Sequence, residues 1–395
     1  MELHRTLPTS SEVIGSMEDL LIQILIRLPV KSLMRFKLVS KNWKSLITSP
    51  CFSLQYNPGR NPAIGLFYPD WESSSFGYIH LNFQNTTGPP FRELKFPEDP
   101  YPVLIHHSCN GLLLCCSDVI FCFDCSDEIS AIGKCFIYNP TTNCFTKLPR
   151  PGVVNGIPKS VRGMNLAFDP TKSAFHKVVC VRESELAPDL RQIEIYSSES
   201  DEWRASGEPF KSHAIIHNGV YWNGSIHWIS YADFEVLFFN VDEERHGKIP
   251  IPIEPYDGHR LQKFSYLGES CDHLHLVLNY DIGADVIVYE MKRDRSEWFV
   301  KYRVDLTAVV RASFPGRAYF NYLMGRGYDK FNILSLVRSK KESAFLVLVV
   351  SRKVFLFNLE CNTFEEVYMF GDAGIGYPYR AYEYVESLHM FRGPA

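Results

Sequence analysis

Two patterns of hydrophobic and polar positions divide the chain. Near the N-terminus, leucine and isoleucine recur at helical spacing and form one broad apolar stripe of Leu20, Leu21, Ile24, Leu25 and Leu28. From about Ala63 onward, short aromatic or β-branched runs alternate with polar turns, as in consecutive antiparallel hairpins. The chain is therefore predicted to be mainly β, with a small helical unit before a large β region.

Three short helices are predicted in the N-terminal unit. Ser16, with Asp19 three residues later, predicts the start of the first helix, and Pro29 predicts its end. Ser40 predicts the start of the third helix, which Pro50 ends. The later helices carry the apolar residues Leu33, Phe36, Trp43, Leu46 and Ile47. A unit this short cannot bury so much apolar surface by itself, so the stripe either packs on the rest of the chain or docks into another protein.

One phrase recurs five times in the β region: an apolar strand, a polar turn and a second strand. Aligning the copies superimposes Tyr138, Tyr196, Phe239, Tyr289 and Phe357. Their spacing suits four-stranded propeller blades of roughly 40–50 residues each. Asn-Gly pairs in "CNGLLLC" and "YWNGSIHWI" predict tight hairpin turns. The repeat predicts six blades, or seven if the C-terminal tail closes a split blade, and a pair of packed β-sheets is the alternative.

Charge and composition narrow the functional class. The whole chain carries a net charge of −4, and the helical unit over residues 16–59 carries six Lys or Arg residues against two acids. Because phosphate binding needs clustered positive charge, no nucleic-acid partner is expected. No apolar stretch is long enough to span a bilayer and the N-terminus lacks a signal-peptide pattern, so no membrane is expected either. We expect the cytoplasm, the nucleus or both, with the 11 cysteines as reduced thiols.

The residues that could carry chemistry do not assemble into a reactive site. Cys122 and Cys125 form a C-x-x-C pair, but a zinc site needs a second close pair, and buried thiols are the favoured interpretation. His273 and His275 share one strand face without an evident third ligand, which favours a structural role. No nucleophile, base and oxyanion site come together in the sequence. We therefore predict no catalytic residue, no cofactor and no metal.

The N-terminal stretch resembles an F-box, the helical module that binds Skp-type adaptors of cullin ubiquitin ligases. The resemblance lies in the apolar stripe, in "RLPVKSL", in "RFKLVSKNW", and in Leu46 with Ile47. It departs from the family at Ser16 and Met17, where a Leu-Pro pair is usual. The resemblance implies that the adaptor-binding residues are Leu20, Leu21, Ile24, Leu25, Leu28, Pro29, Leu33, Val39 and Trp43.

The β region resembles the F-box-associated, kelch-like domain of plant F-box proteins. The resembling phrases include "SCNGLLLC", "YNPTTNCFTKLP", "FDPTKSAFHKVV" and "GVYWNGSIHWI", in this order. The expected organisation is a flexible N-terminus over residues 1–15, an F-box over 16–59 and a kelch-like β-propeller over 60–395.

The two resemblances imply a substrate-recognition subunit of an SCF-type ubiquitin ligase. It would bind a Skp-type adaptor, and through it a cullin, and its propeller would hold an unidentified target protein without being an enzyme itself. The alternative is a stand-alone propeller enzyme or carbohydrate-binding protein. Three long segments, 149–163, 255–263 and 311–322, are candidate target-binding loops.

Three residues of the N-terminal unit allow these expectations to be tested. Replacing Leu21 and Leu25 together by aspartate should abolish adaptor binding while the β region stays folded. Trp43 is expected mainly to hold the three helices together.

Overall fold

The computed structural model describes most of the chain, namely residues 18–56, 63–70, 75–81, 103–117, 133–154, 157–212, 214, 216–254, 262–314, 331–338, 343–371 and 380–391. It is mainly β, as predicted, with a helical unit at the N-terminus and a ring of six sheets after it.

Within residues 18–56 the helical unit contains four short helices rather than three. They are α1 (Glu18–Leu25), α2 (Val30–Phe36), α3 (Lys41–Thr48) and α4 (Pro50–Gln55). Ser40 caps α3 as predicted, since its hydroxyl accepts a hydrogen bond from the Trp43 backbone N–H at 3.1 Å. The predicted cap at Ser16 lies outside the described residues.

The fourth helix exists because Pro50 both ends one helix and begins the next. Proline tolerates the first position of a helix, where its missing N–H has no intrahelical partner anyway. The Ser49 hydroxyl accepts a hydrogen bond from the Phe52 backbone N–H at 3.1 Å and so caps α4. Phe52 is consequently delivered, fully buried, into the core of the helical unit.

The six sheets are the blades of a β-propeller, which decides against the packed pair of sheets. Each blade is antiparallel, and the first strands of successive blades contact one another around a central channel. Blade 1 contains β1 (Gly65–Asp70) and β2 (Ser75–His80), and blade 2 contains β3 (Val103–Cys109), β4 (Leu112–Ser117), β5 (Cys135–Asn139) and β6 (Cys144–Leu148). A two-stranded ribbon, β7 (Val153–Val154) and β8 (Ile157–Pro158), follows blade 2.

The other four blades have four strands each. Blade 3 contains β9 (Val161–Ala167), β10 (Lys177–Glu183), β11 (Arg191–Ser197) and β12 (Glu202–Phe210), and a 3-10 turn follows at Ile216–Asn218. Blade 4 contains β13 (Val220–Trp222), β14 (Ser225–Ser230), β15 (Glu235–Asn240) and β16 (Arg245–Pro250). Blade 5 contains β17 (Gln262–Ser270), β18 (His273–Tyr280), β19 (Asp285–Met291) and β20 (Trp298–Asp305), and helix α5 (Thr307–Ser313) follows it. Blade 6 contains β21 (Asn332–Arg338), β22 (Ala344–Val350), β23 (Lys353–Asn358) and β24 (Phe364–Met369).

The repeated phrase of the sequence corresponds to one structural position. All five aligned aromatic residues lie on the third strand of their blade and are buried. The two predicted Asn-Gly turns join first to second strands, and both residues of each have positive φ, with 45° and 86° at Asn110 and Gly111 and 47° and 76° at Asn223 and Gly224. This is the geometry of the type I′ turns that asparagine and glycine favour.

The strand directions give the propeller two distinct faces. Within a blade the first and third strands run the same way, so the turns after them lie on one face, which we call the near face. The turns after second strands and the links between blades lie on the opposite, far face. The helical unit packs on the near face, through a C-terminal segment that contacts the end of β5 and the turn after β9.

The ring is closed by the last strand, β25 (Tyr382–Tyr384), which pairs antiparallel with β1. It takes the inner position of blade 1, where Gly65 lies opposite Tyr384 and Phe67 opposite Tyr382. The tail thus completes the first sheet and adds no further one. Of the two predicted blade numbers, six is confirmed.

Deleting Tyr379–Ala395 should yield insoluble or molten protein, because it removes β25 and leaves the edge of β1 unpaired. Soluble yield and thermal unfolding measure the effect. Deleting residues 1–14 is the control and should change neither quantity. A C-terminal truncation that melts cooperatively at the parent temperature would contradict the closure.

Candidate functional site

The helical unit has a complete apolar core of its own. Its fully buried members are Leu21, Leu25, Val30, Leu33, Ile47, Phe52, Tyr56 and Leu388. Seven of these come from the helical unit and one, Leu388, from the segment after β25. The Tyr56 hydroxyl also donates a hydrogen bond to the Leu28 carbonyl at 2.9 Å, which ties the residue after α4 to the turn after α1. Residues inside the chain, rather than a second protein, therefore cover the inner part of the predicted stripe.

The structure divides the predicted adaptor-binding residues by exposure. Leu21, Leu25 and Leu33 are buried in the core, Leu28 and Trp43 are half-buried, and Leu20, Ile24, Pro29 and Val39 are exposed. An aspartate pair at positions 21 and 25 would therefore place two charges inside the core and unfold the helices. That substitution cannot separate binding from folding, so the test needs residues on the exposed face.

Trp43 lies at the edge of this core. Its ring packs edge-on against Phe36, with 5.2 Å between the ring centroids. Its backbone N–H is the donor to the Ser40 cap. These contacts join α2 and α3, in keeping with the expected role of Trp43 in holding the helices together.

Among the described side chains of the helical unit, four large apolar ones face solvent. The exposed fractions are 39% for Leu20, 44% for Ile24, 88% for Leu38 and 61% for Val39. Leu20 and Ile24 are one helical turn apart on α1, whereas Leu38 and Val39 occupy the turn between α2 and α3. Leu38 is absent from the predicted residues because a turn has no periodicity, although two adjacent apolar residues in a polar turn are themselves a signal.

Basic residues accompany these apolar side chains. Arg27, Arg35, Lys41 and Lys44 are all exposed, and they lie along the same helices and turns. The exposed surface of the helical unit thus combines apolar side chains with four basic residues against the two exposed acids Glu18 and Asp19. This excess of positive charge suits a partner surface that is apolar and acidic.

The central channel of the propeller encloses a cavity of about 630 Å³. It is lined by the inner strands of several blades, and Ser53 and Tyr56 of the helical unit also reach it. In the wall, His107 Nε2 lies 2.7 Å from the Gly219 carbonyl, and its Nδ1 accepts a hydrogen bond from the Leu166 N–H at 3.1 Å. Both ring nitrogens of this buried histidine therefore contact backbone groups outside blade 2, one in β9 of blade 3 and one directly before β13 of blade 4.

Glu383 of β25 is an acid in the channel wall whose pKa is raised. Burial, and to a smaller extent the negative charge of Glu269, raise the pKa of Glu383 to about 8, although the hydrogen bond from Ser335 opposes the shift. The Ser335 hydroxyl donates to Glu383 Oε1 at 2.5 Å, and the Ser108 hydroxyl donates to the Glu383 carbonyl, also at 2.5 Å. Because Ser108 belongs to blade 2 and Ser335 to blade 6, this one residue connects the closing strand to both neighbouring blades.

The histidines and cysteines that raised the question of metal binding have structural surroundings. His273 Nδ1 and His275 Nε2 lie 3.1 and 3.3 Å from the carboxylate of Glu290, which also contacts Arg338 at 3.2 Å. Cys109, Cys115, Cys116 and Cys135 are buried free thiols, whereas Cys122 and Cys125 lie outside the described residues. Among the residues that the structure describes, no three His, Cys, Asp or Glu side chains are grouped to hold a metal ion.

The far face carries the ends of the three predicted target-binding segments. Each is a link between blades, running from β6 to β9, from β16 to β17 and from β20 to β21. Residues 155–156, 255–261 and 315–330 of these links lie outside the described part of the chain. Two exposed aromatic residues, Tyr231 and Phe234, lie on the same face in the turn between β14 and β15.

Phe234 has an unusual backbone conformation for a bulky residue, with φ of 52°. The left-handed region is sterically costly for such a side chain, and outliers of this kind concentrate at functional sites. Phe234 is 59% exposed and lies on the far face.

No helix in the described segments is both long enough and apolar enough to cross a bilayer.

Comparison with protein families finds two matches in this chain. Residues 18–55 match the F-box domain, and residues 83–310 match the F-box associated beta propeller domain. The first match spans the four helices, and the second covers more than half of the chain, from before β3 into α5.

Several curated proteins from Arabidopsis thaliana are similar to this chain. One F-box protein is 29% identical over 407 residues, which cover 96% of this chain and 93% of that protein. A second F-box protein is 29% identical over 312 residues, covering 76% of this chain and 81% of its own length. An F-box/kelch-repeat protein is 22% identical over 339 residues, covering 81% and 77%.

The raised pKa of Glu383 predicts how stability depends on pH. Between the ordinary pKa of 4.5 and the folded value of about 8, the folded chain binds a proton that the unfolded chain has lost. The free energy of unfolding should therefore fall as pH rises through this window and level off above it. Replacing Glu383 by glutamine should remove this part of the decline.

Melting temperatures of the parent and of Glu383→Gln, measured from pH 5 to pH 9, test this expectation. The advantage of the variant should grow with pH up to about 8. Glu365→Gln, an exposed position on the outer strand β24, is the matched control and should follow the parent. Parallel curves for Glu383→Gln and the parent would contradict the assignment.

Proposed function

We propose, on the premise that this chain belongs to the family of plant F-box proteins with an F-box associated β-propeller domain, that it is the substrate-recognition subunit of an SCF-type ubiquitin ligase. The family supports such a role in general. The finer proposal is that helices α1 to α4 dock on a Skp-type adaptor, and through it a cullin, while the propeller holds a target protein.

One observation carries the adaptor assignment. The core of the helical unit is already complete, yet Leu20, Ile24, Leu38 and Val39 remain exposed. They account for four of the ten large apolar side chains that are exposed among the described residues. Such a concentration within a short segment is typical of a protein-binding surface. The neighbouring basic residues favour an acidic partner.

The target would bind on the far face of the propeller. The helical unit contacts the near face, so a partner docked on the helices leaves the links between blades accessible. The far face also carries exposed Tyr231, Phe234 and Ile253, side chains suited to an apolar contact. We further place the chain in the cytoplasm, the nucleus or both, reducing compartments in which its buried cysteines would stay thiols.

A receptor of this kind needs no catalytic residue of its own. Holding a target beside a ubiquitin-loaded partner raises the effective concentration of the two reactants, and transfer is accelerated by proximity. Members of the F-box family act as adaptors for substrates, which fits a non-catalytic role.

Replacing Ile24 and Leu38 together by aspartate should abolish binding to a Skp-type adaptor. Burying two large apolar side chains contributes about 3 kcal/mol or more, so the affinity should fall about 100-fold or more. Because both positions are exposed, the melting temperature should stay close to the parent value. Co-purification with the adaptor and calorimetric titration measure the two quantities.

The matched control replaces two exposed apolar residues of the propeller, Leu186 and Met369, by aspartate. This variant should bind the adaptor as the parent does. Undiminished binding by the Ile24/Leu38 variant, or equal loss in the control, would refute the proposed interface.

A further inference from the structure

The segment after the closing strand lies between the propeller and the helical unit and contacts both. We call residues 385–391 the C-terminal strut. Alternate residues of an extended segment point to opposite sides. In the strut, Ser387 and His389 contact the propeller, whereas Leu388 and Met390 contact the helices.

On the propeller side, one buried asparagine holds the strut. The side-chain amide of Asn139 donates to the carbonyl of Ser387 at 3.0 Å and to the carbonyl of His389 at 2.8 Å. The Ser387 N–H donates to Thr141 Oγ1 at 3.0 Å. Asn139 and Thr141 lie at the end of β5 and in the turn after it, so the attachment point belongs to blade 2.

Blade 3 supplies a second attachment, made of rings. His389 packs on Phe168 and His176, with centroid distances of 4.8 and 5.6 Å, and Phe391 packs on His176 at 5.9 Å. Burial lowers the pKa of His389 to about 4 and that of His176 to about 3, so both rings are neutral near pH 7 and do not repel each other.

On the helical side, the strut completes the core. Leu388 is 3% exposed and packs among the apolar residues of the four helices. The Ser53 hydroxyl donates to the Leu388 carbonyl at 3.5 Å, and Lys37 Nζ lies 3.6 Å from Met390 Sδ. Contacts therefore reach the strut from both α4 and the turn after α2.

The turn between β3 and β4 leaves room for the strut. A Cβ at Gly111 would lie 2.5 Å from the Ser387 Cβ and 2.7 Å from the Val385 carbonyl oxygen, and φ at this glycine is 86°. The glycine that the hairpin requires is thus also the one that lets the strut approach the near face.

Asn139 does more than its counterparts in other blades. Asn240 and Asn358 also end third strands, and each accepts backbone N–H bonds from the turn that follows, as Asn139 accepts one from Thr141 at 2.9 Å. At Asn139 the amide nitrogen of the same side chain is used in addition, for the two strut carbonyls. An asparagine at this position serves the following turn in all three blades, and in blade 2 it also binds the strut.

From this arrangement we infer that the C-terminal strut is a rigid joint that fixes the orientation of the helical unit relative to the propeller, with Asn139 and Leu388 as positioning residues. The inference rests on the proposed function only for its purpose: a fixed joint keeps a bound target at a constant distance from the ubiquitin donor. Loosening the joint would then slow transfer without weakening either binding surface.

The substitution Asn139→Asp tests the joint with little change in shape. Aspartate keeps the oxygen that accepts from Thr141, but it loses the amide donor and sets a carboxylate against the carbonyls of Ser387 and His389. Asn240→Asp is the matched control, because that side chain serves only its turn among the hydrogen bonds described. Leu388→Ala tests the other side of the strut, with Leu359→Ala, buried between blades 5 and 6, as its control.

The orientation is measured in the full chain as a distance distribution between spin labels. Cys51 on α4 and Cys361 in the turn between β23 and β24 are exposed free thiols and serve as labelling sites. Cys122, Cys125, Cys144 and Cys271 are replaced by serine so that only these two react. The parent should give one narrow distribution, Asn139→Asp and Leu388→Ala should broaden it at least twofold, and both controls should keep the parent width.

Parent-like widths for Asn139→Asp and Leu388→Ala in chains that still melt cooperatively would overturn the inference. If Asn139→Asp fails to fold, Leu388→Ala against Leu359→Ala decides the question. Adaptor titration of the same variants separates this inference from the proposed function. A parent chain that does not bind the adaptor refutes the function alone, whereas unchanged affinity with a broadened distance distribution supports the joint.

Discussion

Everything in the β region depends on one short antiparallel pairing, between β1 and β25. Five blades hold their four strands by contiguous hairpins, but the first blade receives its inner strand from the other end of the chain. Only three residue pairs form this contact, and side-chain hydrogen bonds from Ser108 and Ser335 reinforce it through Glu383. Burying the Glu383 carboxyl group costs free energy, but this residue bonds the closing strand to the blades on both sides of it.

Local features of the fold could be predicted from the sequence in more detail than non-local ones. The third-strand aromatic residues are recognisable because burial at one position recurs in five of the six blades. The Asn-Gly turns are recognisable because left-handed φ is a property of the two residues themselves. The sequence leaves the blade number open between six and seven, because the alternating pattern of the tail predicts a closing strand but does not show that this strand pairs with Gly65 of β1. Helix α4 is absent from the prediction because Pro50, after an apolar run, indicates the end of a helix, although proline also occupies the first position of helices.

The candidate site shows the same division. The helical spacing of the leucine and isoleucine residues predicts the apolar stripe on α1. Which half of the stripe faces inward depends on Phe52 and Leu388, two residues far apart in the chain. Leu38 was missed because it lies in a turn, outside any period. Glu383 carries no mark in the sequence, since an acid in an alternating strand reads as solvent-facing. Its raised pKa arises only when six blades enclose it.

The place of Leu388 has a consequence for how the protein is made. The helical unit is synthesised before the propeller, yet its core includes Leu388, which follows the propeller in the chain. The ring likewise closes only after β25 has been synthesised. At translation rates of about 5–20 residues per second, roughly 20–70 s separate the synthesis of α1 from that of the strut. Throughout that interval the nascent chain exposes both an incomplete helical core and the edge of β1, and such exposed surfaces make a partly synthesised chain prone to aggregation. Loss of the strut would therefore harm both units at once.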